Sequence, residues 1–300
     1  MIPVFNSADT ISLLVERLSL VNVPGGKQII LVVDGSPDES LKVCNGLCRS
    51  STVPITVIDL ARNFGEHNAI MAGLTYAKGQ FVITMDDDLQ NPPEEVFRLW
   101  AYTRDNDFDV VYAQFHSKMH TRWRNIGSRF TNWCVEKTIG KPKGLYLASF
   151  RCISRLVVQS ILSYTGPFPY IDGLIIQTTD RIGSLQVEHL PRNKGKSNYS
   201  LSKLFRLFSS MLFNFSVIPL RIGAFAGGML SLIGIIGFVA VVAEALLSST
   251  PPGWATVTSA VFLLAGVQLI VLWLIGEYLG RLYLTVNHKP QYIVRSVNET

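Results

Sequence analysis

The chain has 300 residues, of which 48% are hydrophobic and 16% charged, with a formal net charge of +5. These proportions exclude a disordered or collagen-like chain and leave room for one ordinary domain plus a further segment. The four cysteines (Cys44, Cys48, Cys134 and Cys152) contain only one closely spaced pair, which excludes a zinc framework or a disulfide scaffold and makes reduced, buried thiols the default.

The first elements alternate. Short apolar runs stand at residues 2–5, 28–33, 55–60 and 81–85, with helical periodicity between them. That alternation predicts right-handed crossovers and a doubly wound, mostly parallel α/β sheet. Ser36 as N-cap, Pro37 in the first turn and Glu39 at the capping-box position mark the start of the second helix. The third helix is expected over residues 66–77, stopping at Lys78-Gly79. In such sheets ligands bind outside the C-terminal strand ends, so Asp34-Gly35-Ser36 and the acids after residue 85 lie on the binding edge.

The fourth run leads directly into Asp86-Asp87-Asp88-Leu89-Gln90-Asn91-Pro92-Pro93. If extended backbone continues through the acids, Asp86 and Asp88 project to one side and Asp87 to the other. Two carboxylates about 4 Å apart at an effective dielectric near 20 repel by roughly 4 kcal/mol, so the tip calls for protons or a divalent ion. Hard oxygen ligands suit Mg2+ or Mn2+, which keep positions open for substrate phosphates, and Gln90 is placed to add a carbonyl. A nucleotide therefore fits this edge better than a lone metal. The competing reading is a solvated acidic turn or a helix N-cap before Pro92.

Beyond Arg206 the composition changes to two long apolar segments, residues 222–247, interrupted by Glu244, and residues 255–275, whose only strongly polar residue is Gln268. Each exceeds the roughly 20 residues needed to cross a bilayer. Lys194, Lys196, Lys203, Arg206 and Arg221 precede the first, Arg281, Lys289 and Arg295 follow the second, and residues 248–254 between them carry no charge. The positive-inside rule then puts both ends in the cytoplasm. Leu201, Leu204, Phe205, Phe208, Met211, Leu212 and Phe215 recur at helical spacing, the pattern of an interfacial amphipathic helix or of one packed on the soluble domain. The expected division is a soluble domain over 1–200, an amphipathic helix over 201–217, a transmembrane hairpin over 218–285 and a cytoplasmic tail over 286–300. Gly223, Gly227 and Gly228 would permit close helix contacts and a homo-oligomer. The positive balance, with basic residues clustered over 118–143, fits an anionic surface or substrate. No nucleic-acid-binding module is recognisable, so nucleic acid is not an expected partner.

Ile2-Pro3-Val4-Phe5-Asn6, Asp34-Gly35-Ser36-Pro37-Asp38, Arg62-Asn63-Phe64-Gly65, the acidic run, Arg192-Asn193-Lys194-Gly195-Lys196-Ser197-Asn198-Tyr199 and the paired spans together resemble glycosyltransferase family 2, within its polyprenyl-phosphate sugar transferases. Dolichyl-phosphate mannose synthases and the bacterial enzymes that load undecaprenyl phosphate with glucose or 4-amino-arabinose are of this type. The resemblance implies a Rossmann-like GT-A fold in a multi-pass protein of the bacterial cytoplasmic membrane, its catalytic domain on the cytoplasmic side; two-span relatives can assemble as tetramers. It implies inverting transfer of one sugar from a nucleotide diphosphate sugar to a polyprenyl phosphate, with Mg2+ or Mn2+, for cell-surface glycan or lipid modification.

By the same resemblance, Asp86, Asp88 and Gln90 hold the metal, and Pro3, Phe5, Asp34, Arg62, Asp86 and Asp87 meet the nucleotide sugar. Arg192, Lys196, Ser197 and Tyr199 close over the pyrophosphate, and Arg124 and Arg129 meet the lipid phosphate. Asp86 and Asp88 form the catalytic set with Asp172, a site acid or a structural Asp in a turn. Three positions depart from the family pattern: Ser7 where relatives often carry Glu, Val33 in place of the first acid of Asp-Asp-Gly-Ser, and Ser149 where several relatives carry an Asp proposed as catalytic base. A phosphate monoester with a second pKa near 6 is already largely ionised at neutral pH and needs little deprotonation. Two rivals make different demands. A processive polysaccharide synthase calls for Gln-x-x-Arg-Trp, but Met119 stands at the Gln position before Arg122-Trp123; a non-catalytic partner or flippase calls for a polar pathway along the spans.

Overall fold

The computed structural model describes residues 1–115, 145–188, 254–287 and 289–300, with positions 223, 225, 227, 229, 232 and 236. The chain divides into two compact units, Met1–Leu204 with His288–Thr300, and Phe205–Asn287.

The first unit begins with three parallel strands, β1 (Ile2–Val4), β2 (Ile29–Val33) and β3 (Ile55–Leu60), linked by helices α1 (Ile11–Leu20) and α2 (Ser40–Ser50). Both β2 and β3 are buried along their whole length, which is why they read as continuous apolar runs rather than alternating ones. Ile11, Leu14, Val15 and Leu18 form the buried stripe of α1, and Ser40, Cys44 and Cys48 that of α2. Cys44, Cys48 and Cys152 are free and buried, and burial pushes the Cys44 and Cys152 thiols up to about 12, so they are unreactive at neutral pH.

Next come α3 (Glu66–Thr75), β4 (Phe81–Thr84), α4 (Glu95–Asp105), β5 (Val110–Phe115), β6 (Arg151–Ser154), α5 (Arg155–Leu162), α6 (Ile171–Thr178) and β7 (Ile182–Val187). The second ladder runs β4-β6-β5-β7, with β6 antiparallel to both neighbours and β7 parallel to β5. Two main-chain bonds bring β4 beside β1: Met1 N donates to Ile83 O at 2.7 Å, and Met85 N donates to Met1 O at 3.2 Å. The sheet is thus mixed, where a mostly parallel one was expected. The departure comes from β6 and from the C-terminal strand at Val294–Glu299, which run antiparallel to the strands they pair with.

Two boundaries also move. The second helix starts at Ser40, not near Ser36, because the Ser36 hydroxyl is engaged elsewhere: it accepts the Asn6 N–H at 2.8 Å and donates to Asp38 at 2.6 Å. Glu39 takes the N-cap position, and Asp38 just before it accepts the Ser40 N–H at 3.1 Å. The third helix begins at Glu66 as expected but ends at Thr75, where Tyr76 N–H turns back to Gly73 O at 3.2 Å.

The segment expected as a tail contains β8 (Val294–Glu299), which pairs antiparallel with β3 and covers its outer edge. Arg295 donates to Ala61 O at 2.9 Å, and Gln291 donates to the Tyr164 and Gly166 carbonyls at 2.8 Å each.

In the second unit, α7 (Trp254–Val286) has 33 residues. Its segment Leu264–Val286 is long and apolar enough to cross a membrane, starting and ending later than the expected 255–275. The six described positions from 223 to 236 are helical, and a Cβ on Gly223 would stand 3.0 Å from Leu274 of α7. Those six positions are the part of the expected 222–247 span that lies among the described residues. The expected amphipathic helix lies outside them.

Candidate active site

Residues 5–10, 34–39, 61–65 and 85–94 follow β1, β2, β3 and β4, so they gather at one edge of the sheet. Residues 145–150 reach the same edge because β6 runs opposite to β4.

Gly35 sets how two of these loops pack. Its φ is +58°, and a Cβ there would come within 2.3 Å of the Arg62 carbonyl carbon and the Asn63 nitrogen, so only glycine fits. Asp34 completes the joint by accepting the Phe64 N–H at 2.7 Å and the Gly65 N–H at 2.8 Å. Burial raises the Asp34 pKa, and those two amide bonds oppose the rise. Asp34 therefore fixes the loop that presents Arg62. The exposed Arg62 guanidinium lies 4.8 Å from the centre of the Phe64 ring.

The three acids take different anchors because β4 ends at Thr84 and the chain then turns. Asp86 accepts the Ser149 hydroxyl at 2.5 Å. Asp87 accepts the Phe5 N–H at 3.0 Å and the Ser7 hydroxyl, while its own carbonyl accepts the Thr10 hydroxyl at 2.8 Å. Asp88 accepts the Gln90 N–H at 3.1 Å, with Leu89 held at φ +60°. Asp87 is thus separated from its neighbours, as side-chain alternation suggested, but through a turn rather than an extended strand. Burial raises the Asp87 pKa first, with Asp86 and Asp88 adding to the rise, while the Ser7 and Phe5 bonds oppose it. Ser7 suits this role because it brings a donor to Asp87, where a Glu would bring a second carboxylate.

Asp86 and Asp88 are half-buried carboxylates on one short turn. Among the described residues no group of three His, Cys, Asp or Glu could hold a metal, so there is no closed protein cage of that kind. A hard cation held by one or two carboxylates and completed by substrate phosphates needs none, and this donor set fits Mg2+ or Mn2+. Phe5 stands 47% exposed at the same edge, the half-buried Pro3 lies two residues before it on β1, and the half-buried Gln90 follows two residues after Asp88.

Behind this edge lies a buried charge. Arg151, 1% exposed on β6, pairs with Asp172 in the first turn of α6, which also accepts the Tyr112 hydroxyl at 2.9 Å. The Arg151 Nε has no hydrogen-bond partner. Asp172, expected as a site acid or a turn residue, is the counter-ion of a buried arginine. Edge-to-face against Tyr170 at 5.2 Å, His67 is held down at about 4 by burial. The Glu66 carboxyl is pushed up to about 7, first by the protein atoms crowding it and then by Asp86, although the side chain still reaches solvent.

A cavity of about 570 Å³ opens elsewhere, lined by Lys27, Ile30, Phe81 and Trp100 among others, at the N-terminal ends of β2 and β4. It contains none of the edge acids. Arg124, Arg129, Arg192, Lys196, Ser197 and Tyr199 lie outside the described residues. Sequence reasoning passed over Glu66, Arg151 and the bond made by Ser149. A lone arginine inside Phe150-Arg151-Cys152-Ile153 was the available signal, since a buried cation requires an acid partner.

A sheet edge that gathers the loops after four successive strands, with carboxylates at the tip of the fourth, is where α/β domains of this kind bind their ligands. Residues 1–157 match glycosyl transferase family 2. The chain is 32% identical over 303 residues to the undecaprenyl-phosphate 4-deoxy-4-formamido-L-arabinose transferase of Yersinia pestis (strain Pestoides F), covering 99% of this chain and 92% of the relative. Against the enzyme of the same name from Edwardsiella ictaluri (strain 93-146), identity is 33% over 304 residues with the same coverages, 99% and 92%. Among solved structures, glucosyl-3-phosphoglycerate synthase from Mycobacterium tuberculosis in complex with UDP aligns with a TM-score of 0.52 at 17% identity, over 70% of this chain and 77% of that one. The same synthase with Mn2+ and UDP-glucose aligns at 0.52 and 16% identity, over 71% and 75%. The chain belongs to glycosyltransferase family 2. It is a transferase with a GT-A-like fold built on a mixed sheet.

Proposed function

We propose that this enzyme transfers a single sugar from a nucleotide diphosphate sugar to a polyprenyl phosphate, undecaprenyl phosphate foremost, at the cytoplasmic leaflet of a bacterial membrane. The observation that carries the reading is likeness along 99% of the chain to relatives named for that acceptor. The carboxylate pair at the sheet edge agrees with it.

Phe5 and Arg62 flank the nucleotide on the exposed rim, and Asp34 and Gly35 hold the Arg62 loop in place. Asp87 serves by fixing the β1–α1 loop to the acidic turn. Asp86 and Asp88, with Gln90, would hold Mg2+ or Mn2+, which when bound would offset charge on the departing diphosphate. An oxygen of the lipid phosphate forms the new bond to the anomeric carbon as the bond to the nucleotide diphosphate breaks and the diphosphate leaves with the electron pair. Attack from the face opposite the leaving group inverts the anomeric centre. Arg124 and Arg129 are assigned to the lipid phosphate, and Arg192, Lys196, Ser197 and Tyr199 to the pyrophosphate, since guanidinium and ammonium groups suit those anions.

The membrane assignment draws on α7 and on connectivity. At about 1.5 Å per residue, α7 is roughly 50 Å long, enough to span a bilayer. Leu269, Ile270, Leu272 and Trp273 on it are exposed. The chain leaves the first unit before residue 205 and rejoins it after residue 287. One folded domain occupies one side of a membrane, so the crossings between those points must be even in number. One crossing by α7 therefore requires a second, and residues 222–247 supply it, with both flanks cytoplasmic. Gly223 packing against Leu274 supports a hairpin, and a homo-oligomer through the small residues of that helix goes with the same reading.

The test uses full-length protein in detergent, a panel of nucleotide diphosphate sugars and undecaprenyl phosphate. A lipid-linked monosaccharide formed only with divalent metal, and lost in Asp88→Ala, is expected. A polymeric product, or donor hydrolysis indifferent to the lipid, would overturn the reading.

A further inference from the structure

We infer that Ser149 is a positioning residue that clamps the Asp86 carboxylate, in a site that uses no base at this position. The inference rests on the function proposed above and adds to it the group that orients its metal-binding acid.

Three observations carry it. In the β4–β6 ladder Phe81 pairs with Ser154 and Thr84 with Arg151, so the same antiparallel register continued by two residues sets Asp86 opposite Ser149. Side chains hold this pair beyond the last ladder residues: Thr84 Oγ1 donates to Ser149 O at 2.6 Å, and Ser149 Oγ donates to Asp86 Oδ2 at 2.5 Å. The backbone carrying Ser149 is itself pinned, because Ala148 and Phe150 are buried and the Phe150 carbonyl accepts the Ala113 N–H at 2.9 Å. With the main chain fixed on both sides, the hydroxyl is presented to Asp86, and a hydroxyl donated to a carboxylate is among the shorter and stronger hydrogen bonds. One Asp86 oxygen is therefore committed and the carboxylate plane is set before any ligand arrives.

The hydroxyl also limits the chemistry. A serine that donates its proton to an acid offers no basic group to the acceptor, so residue 149 takes no proton from the lipid phosphate, which is already largely ionised at neutral pH. Activity should then follow the ionisation of a phosphate monoester, near pH 6, and no protein group at residue 149.

The test compares Ser149→Ala, Ser149→Thr and Ser149→Cys in the full-length protein in detergent. Binding of Mn2+ alone is followed by the paramagnetic resonance signal of the free ion, beside the pH profile of kcat. Losing a charge-assisted hydrogen bond should weaken Mn2+ binding and lower kcat by about tenfold each in Ser149→Ala. Ser149→Thr should recover both to within about twofold, because the donor returns. Ser149→Cys, similar in shape with a weaker donor, should fall between, and it carries the comparison if the alanine variant does not fold. The acid limb of kcat should stay in place in all three. Wild-type Mn2+ affinity in Ser149→Ala or Ser149→Cys, or a displaced acid limb, would overturn the inference. Failure of the wild type to glycosylate polyprenyl phosphate would instead count against the proposed function, while the Mn2+ comparison still judges Ser149.

Discussion

Replacing Asp172 with Asn separates a structural acid from a catalytic one. In the folded chain Arg151 is 1% exposed, and its charge is answered by Asp172, which also accepts the Tyr112 hydroxyl at 2.9 Å. Asparagine keeps the shape and removes the charge, leaving an uncompensated buried cation; breaking such a pair from one side costs about 3–5 kcal/mol. For a unit of around 200 residues each kcal/mol moves the melting point by about 2–4 °C, so the variant should melt about 10 °C below the wild type. Intrinsic-fluorescence melting of the detergent-purified protein reads this directly. Removing both charges with Arg151→Met and Asp172→Leu should recover much of the loss, because the unpaired charge is the main penalty. If Asp172→Asn melts within about 2 °C of the wild type yet loses turnover, the counter-ion role is wrong and Asp172 belongs to the chemistry.

Other expectations follow from the same geometry. Gly35→Ala should cost about 3 kcal/mol, because its φ is +58° and its Cβ would meet the Arg62 backbone at 2.3 Å; a lowered melting point with a raised KM for the donor would show it. Acid should destabilise the fold through His67: burial holds it at about 4 against 6.5 unfolded, so its contribution is complete above pH 6.5 and lost as pH falls towards 4. The melting point of His67→Phe should vary less with pH across that window. Removing residues 290–300 strips β8 from β3, and size-exclusion chromatography should show aggregation through the bared strand edge.

Where residues obey a local rule, the sequence already tells the structure. The strands β2 and β3 read as buried because nothing polar interrupts residues 29–33 and little interrupts 55–60, and α3 starts at Glu66 as its pattern requires. The acids after β4 were likewise visible, but the chain turns after Thr84 instead of staying extended, and that turn carries Asp87 to Phe5 and Ser7 and Asp86 to Ser149. What escaped depends on distant partners. Ser36 has the look of an N-cap, yet its hydroxyl is taken by the Asn6 amide thirty residues away. The direction of β6 and the pairing of β8 with β3 are settled by sheet edges that no local period records. The sequence places Asp34 on the binding edge but does not show that its two oxygens accept the amides of Phe64 and Gly65, thirty residues on.

The position of β8 in the chain gives biosynthesis an order. Residues 294–299 leave the ribosome after α7, so the first unit waits with one flank of β3 open while the apolar helix is being made. Final closure of the catalytic domain is thereby deferred until the apolar helix has been synthesised, and nascent chains arrested before residue 294 should be cut by protease near β3 where released chains resist.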